Sequence, residues 1–90
     1  MTFKDLYDEF RMHNDELMKD TTKYGYDNKK KFIEYFFSVK LKDFNIMQFK
    51  QWKWDINKLN ISLKYKKDIY KFLKSILNFG VKWHNLNFQA

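Results

Sequence analysis

The stretch from Ser62 to Trp83 constrains the fold of this chain most strongly, because it carries two opposite faces at one helical period. Apolar residues recur at spacings of three and four, which predicts one buried stripe on a helix: Ile69, Phe72, Leu73, Ile76, Gly80 and Trp83. A set of lysines lies about 180° around the same helix, at Lys64, Lys67, Lys71, Lys74 and Lys82. One face therefore requires a protein core, and the other favours a negatively charged partner or solvent.

Glycine and proline are scarce along the whole chain, which has two glycines and no proline among 90 residues. A β-sandwich of this length would need more turn residues, so we predict a few long helices joined by short connections. The hydrophobic content of 44% argues against disorder, and a chain of this length buries one modest core. The predicted fold class is all-α, with a compact four-helix bundle.

The first predicted helix begins at Thr2, because Asp5 follows three residues later as in a capping box. We expect it to end near Met18 and to bury Phe3, Leu6, Tyr7, Phe10 and Leu17. Its surroundings are acidic: residues 1–22 contain three basic and six acidic side chains, a balance of −3. Residues 23–90 contain fifteen basic and five acidic side chains, a balance of +10. The basic part is therefore expected to meet any anionic partner.

The second predicted helix starts at Thr21 or Thr22 as N-cap and runs to about Phe37. Its apolar residues are Tyr26, Ile33, Phe36 and Phe37. An irregular connection is expected over residues 38–44, with three side chains pointing inward: Val39, Leu41 and Phe44.

Polar caps also define the third and fourth helices. Asn45 is the predicted N-cap of a third helix that reaches about Leu59 and buries Phe49, Trp52, Ile56 and Leu59. Met47 and Trp54 lie on a different side of that helix. Ser62 is the predicted N-cap of the fourth helix, and Asn85 is expected to end it in the left-handed conformation.

Several function classes are disfavoured by the residues present. The chain has no cysteine, which excludes disulfides and thiolate metal sites and favours a reducing compartment. No apolar run is long enough for a membrane-spanning helix. Glu9, His13 and Glu16 have helical spacing that could suit a metal, but we predict neither a metal site nor an acid–base pair here. We expect no cofactor and no enzymatic activity from this chain alone.

Four blocks of the sequence, taken in order, resemble the N-terminal core-binding domain of tyrosine recombinases, the phage-integrase family. The blocks are TFKDLYDEF, TTKYGYDNKKKFIEYFFSVKLKDFN, NIMQFKQW and SLKYKKDIYKFLKSILNFGVKW, and the resemblance that they carry extends over nearly the whole chain. The resemblance implies a SAM-like four-helix domain over residues 1–86 that forms half of a C-shaped clamp on DNA. Residues 87–90 would then begin the linker to a catalytic domain, absent from this chain, that holds the nucleophilic tyrosine and its arginine and histidine partners.

In that family the second and fourth helices face DNA. Carried over by position, the resemblance implies DNA contacts from Thr21, Thr22 and Lys23, and from Lys64, Tyr65, Lys66 and Lys67. The charge pattern adds Lys30, Lys71 and Lys74. Lysines suit phosphates but carry little base information, so Asn78 and, more weakly, Asn28 are the candidates for base contacts.

The implied partners are double-stranded DNA and, in the parent protein, other recombinase subunits on the core site. The isolated domain is expected to be a monomer, and the parent to be cytoplasmic and associated with the bacterial nucleoid.

Two alternatives remain open at this point. The lysine face could be a solvated surface on a protein-interaction module that uses Trp54, Met47 and the first helix. Trp54 has Lys50 and Lys58 one turn to either side, a spacing that suits a cation–π contact or a docking patch for a neighbouring subunit. Binding to an anionic membrane is disfavoured, because apolar residues should border the basic face and here lie opposite to it.

Overall fold

The computed structural model of the chain describes residues 1–86, and its order of elements confirms the all-α, four-helix prediction. The helices are α1 (Phe3–Asp15), α2 (Asp20–Ile33), α3 (Ile46–Asn57) and α4 (Leu63–His84). Two 3-10 turns, Glu34–Phe36 and Leu41–Asp43, lie between α2 and α3. Within residues 1–86 there is no β-strand, only an isolated bridge between Thr2 and Lys40. The predicted linker at residues 87–90 lies outside the described part.

Local capping residues begin three of the four helices as predicted. Thr2 and Asp5 form a complete capping box on α1. Asn45 does the same on α3, where Gln48 is the reciprocal partner. On α4 the Ser62 hydroxyl accepts a hydrogen bond from a backbone N–H at 3.1 Å. These contacts satisfy N–H groups that a helix start would otherwise leave unpaired, and they fix where each helix begins.

The end of α4 is also as predicted. Asn85 adopts the left-handed conformation, with φ of 53° and ψ of 33°, and its N–H bonds to the Gly80 carbonyl. The next residue, Leu86, turns back and is buried beside α4.

The bounds of α2 differ from the prediction at both ends. Its N-cap is Lys19, whose carbonyl accepts the first two helical hydrogen bonds, so Thr21 and Thr22 lie inside the first turn. At the other end α2 stops at Ile33 and not at Phe37. The carbonyls that follow are used elsewhere: that of Phe37 accepts from the start of α1 at 3.3 Å. Directly after Ile33 the chain tightens into the 3-10 turn Glu34–Phe36, in which the Phe37 N–H bonds to the Glu34 carbonyl at 3.1 Å.

One core fills the space between the helices, and its largest fully buried side chain is Trp52. The buried stripes of α1 and α4 are as predicted for Phe3, Leu6, Tyr7 and Phe10, and for Ile69, Phe72, Leu73, Ile76 and Gly80. The Trp52 indole N–H donates to the Phe32 carbonyl at 2.8 Å, which joins α3 to α2. Tyr26 of α2 stacks on Phe72 of α4 with their ring centroids 4.6 Å apart.

Three residues predicted to be buried are not. Leu17 is 78% exposed, because α1 ends at Asp15 and the helical period no longer applies. Leu59 lies beyond the end of α3 and is 39% exposed. Trp83 is inside α4 but on its last turn, where it extends past the core, and 56% of it is exposed.

Arg11 joins α1 to α2. Its guanidinium donates to Asp15 in its own helix, to Asp27 of α2 at 2.8 Å and to the Tyr7 hydroxyl at 2.9 Å. The hydrogen bonds to Asp15 raise the pKa of this group further above its ordinary value. The only arginine of the chain is therefore engaged in a structural contact.

Candidate nucleic-acid interface

The lysine face of α4 is placed by the burial of the opposite face. With α4 fixed on the core through its apolar stripe, the residues about 180° away must face solvent. All five predicted members of this lysine face are exposed: Lys64, Lys67, Lys71, Lys74 and Lys82. The helix as a whole has six lysines and one aspartate, a formal charge of +5. A strong positive field therefore lies along one exposed ridge.

The lysines of this face lack acidic partners. Within residues 1–86, the ion pairs involve Lys4, Arg11, Lys23 and His84, and none includes a lysine of α4. Asp68, the one acid of the helix, is half-buried and forms no ion pair in the described structure. These ammonium groups can therefore exchange counterions for phosphate oxygens without breaking an ion pair.

Tyr65 and Lys66, two predicted DNA contacts, have structural partners. Tyr65 is half-buried against Phe32 of α2, with ring centroids 6.0 Å apart. Lys66 donates from its ammonium group to the Asn57 carbonyl at 2.7 Å, and so satisfies the end of α3. These residues hold α4 against its neighbours at the point where the lysine face begins.

The predicted residues of α2 are exposed or half-buried at its surface. Thr21 and Lys30 are exposed, and the ammonium group of Lys23 lies 3.9 Å from Asp20. Lys23 and Lys30 are two turns apart and share a side of the helix with Asp27, which bonds to Arg11. Asp27 therefore joins this side of α2 to α1, while Lys30 stays exposed.

Lys29, which the sequence prediction omitted from the DNA contacts, lies closer to α4. Its ammonium group is 5.9 Å from the centroid of the Tyr65 ring. Consecutive helical residues differ by about 100°, so Lys29 and Lys30 point to different sides of α2. The signal was present in the sequence: Lys29 is spaced three and four residues from Tyr26 and Ile33, on the side of the apolar stripe.

Further positive charge continues from α4 onto α3. The ammonium group of Lys53 lies 5.3 Å from the centroid of the Tyr70 ring, and the Tyr70 hydroxyl bonds to the Asn57 side chain. Beyond them, the Lys58 ammonium is 3.4 Å from the centroid of the Trp54 indole, which confirms a cation–π contact at that position. The basic surface is thus wider than the fourth helix alone.

Asn78 is the one amide side chain within the lysine face. It lies one turn after Lys74 and one turn before Lys82, and it is exposed. Asn28 of α2 is exposed as well. An amide can donate and accept at once, which a lysine cannot, so Asn78 has the geometry to reach a base edge if the face enters a groove.

Of the three residues with metal-ligand spacing, Glu9, His13 and Glu16, the first two contact the last turns of α4. Glu9 bonds to His84 of α4 at 2.5 Å, while His13 packs against Phe79 and Trp83. Across residues 1–86 there is no group of three potential ligands that could hold a metal ion. None of the described helices is long and apolar enough to cross a membrane.

Comparisons with known proteins add no relative. No family model matches the sequence, no curated protein matches it, and no solved structure matches the chain. The interface is therefore described from its own charge and geometry.

Proposed function

We propose that this chain is a DNA-binding module that grips a duplex through the lysine face of α4. The observation that carries the proposal is the set of exposed lysines, free of acidic partners, on the side of α4 opposite to the core. The order of sequence blocks that resembles tyrosine recombinases suggests the setting: a clamp on the core site that contributes to DNA integration and recombination.

The spacing of the lysines suits a phosphate backbone. Lys64 and Lys74 are ten residues apart, which corresponds to about 15 Å along a helix axis. Over this length four ammonium groups reach out on flexible stems and act as point charges. Each phosphate that they neutralise releases condensed counterions, so binding should weaken steeply with salt. Most of the affinity would come from this release of counterions. Base selectivity would come from a few contacts, such as one from Asn78.

The test is a triple substitution on the face: Lys64→Ala, Lys67→Ala and Lys71→Ala. Binding to a labelled duplex is followed by fluorescence anisotropy at several salt concentrations. A logarithmic slope of about −0.9 per neutralised phosphate predicts that the triple variant loses up to about 3 units of slope. Weaker binding to every duplex sequence is expected, because phosphates are shared by all of them.

A matched control removes the same number of charges elsewhere: Lys19→Ala, Lys40→Ala and Lys42→Ala. These lysines are exposed and lie outside α4. The control should keep most of the slope, because its lysines are not on the lysine face. Equal losses of salt slope in the two triple variants would show that net charge alone attracts DNA. Unchanged affinity in the variant of Lys64, Lys67 and Lys71 would refute the lysine face of α4 as the DNA contact.

A further inference from the structure

A groove lies between α1 and the last turns of α4, beyond Lys64, Lys67, Lys71 and Lys74 of the lysine face. It has a volume of about 330 Å³ and is lined by Glu9, Met12, His13, Phe79, Trp83 and His84. Two apolar residues that line it are largely exposed to solvent: Met12 is 75% exposed and Trp83 is 56% exposed. Large apolar groups left open side by side are typical of a surface that binds another protein.

The rim of this groove on α1 is acidic. Asp8 and Glu16 lie one turn before and one turn after Met12, and both are exposed. Asp8 pairs with Lys4 at 2.9 Å at the surface, a contact that solvent weakens. On the α4 rim, the ammonium group of Lys82 lies 5.3 Å from the centroid of the Trp83 ring. The groove therefore favours an apolar group with positive charges on the α1 side.

The exposed side of α3 has the complementary pattern. Trp54 is 57% exposed and lies in the last turn of α3. Lys50 and Lys58 lie one turn before and one turn after it. An apolar residue flanked by two lysines on α3 thus matches an apolar residue flanked by two acids on α1.

We propose that the groove between α1 and α4 receives Trp54 of a second copy of this chain. The indole would lie between the Met12 thioether and the Trp83 ring, where sulfur–aromatic and aromatic contacts are favourable. Lys50 and Lys58 of the second copy would then face Asp8 and Glu16, once the Lys58 ammonium has left its own Trp54 ring, which it contacts at 3.4 Å in the single chain. This inference uses α1, α3 and the last turn of α4, and it does not depend on the DNA contact proposed for Lys64, Lys67, Lys71 and Lys74.

The two complementary surfaces are on different sides of one chain, so the contact is head-to-tail. Each copy then keeps one free Trp54 or one free groove, and further copies can add in a row. The core stripe and Trp83 point away from Lys64, Lys67, Lys71 and Lys74 on α4, so such a row leaves these four lysines open. Copies side by side on one duplex could therefore touch through this contact.

A contact built on one indole and a few ion pairs is small, and small interfaces are weak and transient. The domain is then a monomer at micromolar concentration, as the sequence predicts. The contact gains occupancy when copies are held close together, since a second binding event becomes effectively intramolecular.

Concentration-dependent NMR without DNA tests the contact directly. Spectra are recorded up to about 1 mM, a range suited to weak association. The indole N–H signals of Trp54 and Trp83 and the Met12 methyl signal should shift with concentration. The Trp52 indole is an internal control, because it is buried and bonded to the Phe32 carbonyl, and its signal should stay fixed.

Charge-reversed variants give the decisive comparison. One variant carries Asp8→Lys and Glu16→Lys, and the other carries Lys50→Glu and Lys58→Glu. Alone, each places like charges across the contact, which should lower the association constant by at least about tenfold. Mixed together, the two variants have opposite charges at both contacts, so the shifts should return.

Three results would overturn the proposal. The first is that no NMR signal shifts at millimolar concentration, and the second is that each single variant associates as strongly as the native chain. The third is that the mixture of the two variants shows no shifts although both variants are folded. Folding is checked by the dispersion of the same spectra. Because no DNA is present, failure here leaves the lysine face of α4 untouched, and failure of the DNA titration leaves this contact untouched.

Discussion

Replacing Gly80 with alanine tests how tightly α1 packs on α4. An added Cβ at this position would lie 3.0 Å from a methyl carbon of Leu6 and 3.1 Å from a methyl carbon of Leu86. Leu6 is fully buried and cannot move without disturbing the core. Alanine gains about 1 kcal/mol over glycine from helix propensity, whereas overpacking a core costs about 1–3 kcal/mol. We expect Gly80→Ala to lower the free energy of unfolding by about 0–2 kcal/mol.

The second glycine of the chain is a matched control. Gly25 is also helical, but an added Cβ there would meet only the end of the flexible Lys29 side chain, at 3.4 Å. Gly25→Ala should therefore keep the propensity gain and raise the free energy of unfolding by about 0.5–1 kcal/mol. For a domain of this size, that corresponds to a rise in Tm of about 2–8 °C.

Urea unfolding and thermal melts followed by circular dichroism measure both variants against the native chain. The difference between the two substitutions isolates the packing term, because the propensity term is common to both. If Gly80→Ala stabilised the domain as much as Gly25→Ala, the close approach of α1 and α4 at this point would be refuted.

Two further predictions use the same unfolding measurements. Asn85→Ala should lower the free energy of unfolding by about 1 kcal/mol, because alanine tolerates the left-handed conformation poorly. Asn85→Gly should cause no such loss, because glycine adopts this conformation freely. Equal losses in the two variants would mean that the asparagine side chain, and not the backbone conformation, stabilises this helix end. Arg11→Lys should cost about 1–2 kcal/mol, because lysine cannot replace the forked hydrogen bonds to Asp15 and Asp27. The exposed Lys4→Ala is its control and should leave the free energy of unfolding nearly unchanged, because its ion pair with Asp8 is at the surface.

Features of this fold that depend on neighbours in sequence were predictable. The caps at Thr2, Asn45 and Ser62 need only residues within one turn, and they begin α1, α3 and α4 where expected. The opposed faces of α4 depend on helical period alone, and the buried stripe from Ile69 to Gly80 confirms them. The spacing of apolar residues does not show where a helix extends past the core. For this reason Trp83 was predicted to be buried, whereas 56% of it is exposed.

Features that depend on distant residues were missed. The segment after α2 accepts hydrogen bonds from the start of α1, because the Phe3 N–H bonds to the Val39 carbonyl and the Lys4 N–H to the Phe37 carbonyl. The contact between Arg11 and Asp27 joins two helices across sixteen positions, and no local pattern announces it. The approach of Glu9 to His84 spans seventy-five positions. For the candidate site, periodicity placed the lysine face, but the structural roles of Tyr65, Lys66 and Lys29 required the packing of three helices.

The packing of α1 on the far end of α4 also sets the order in which this domain can form during synthesis. Leu6 emerges from the ribosome early, but its neighbour Gly80 is added seventy-four residues later. Until then the apolar stripe of α1 has no lasting cover, because much of its burial is against α4. Contacts between such distant residues slow folding and delay it until most of the chain is available. A nascent chain stalled before α4 should therefore remain sensitive to protease along its whole length, and protection should appear abruptly once α4 has left the exit tunnel.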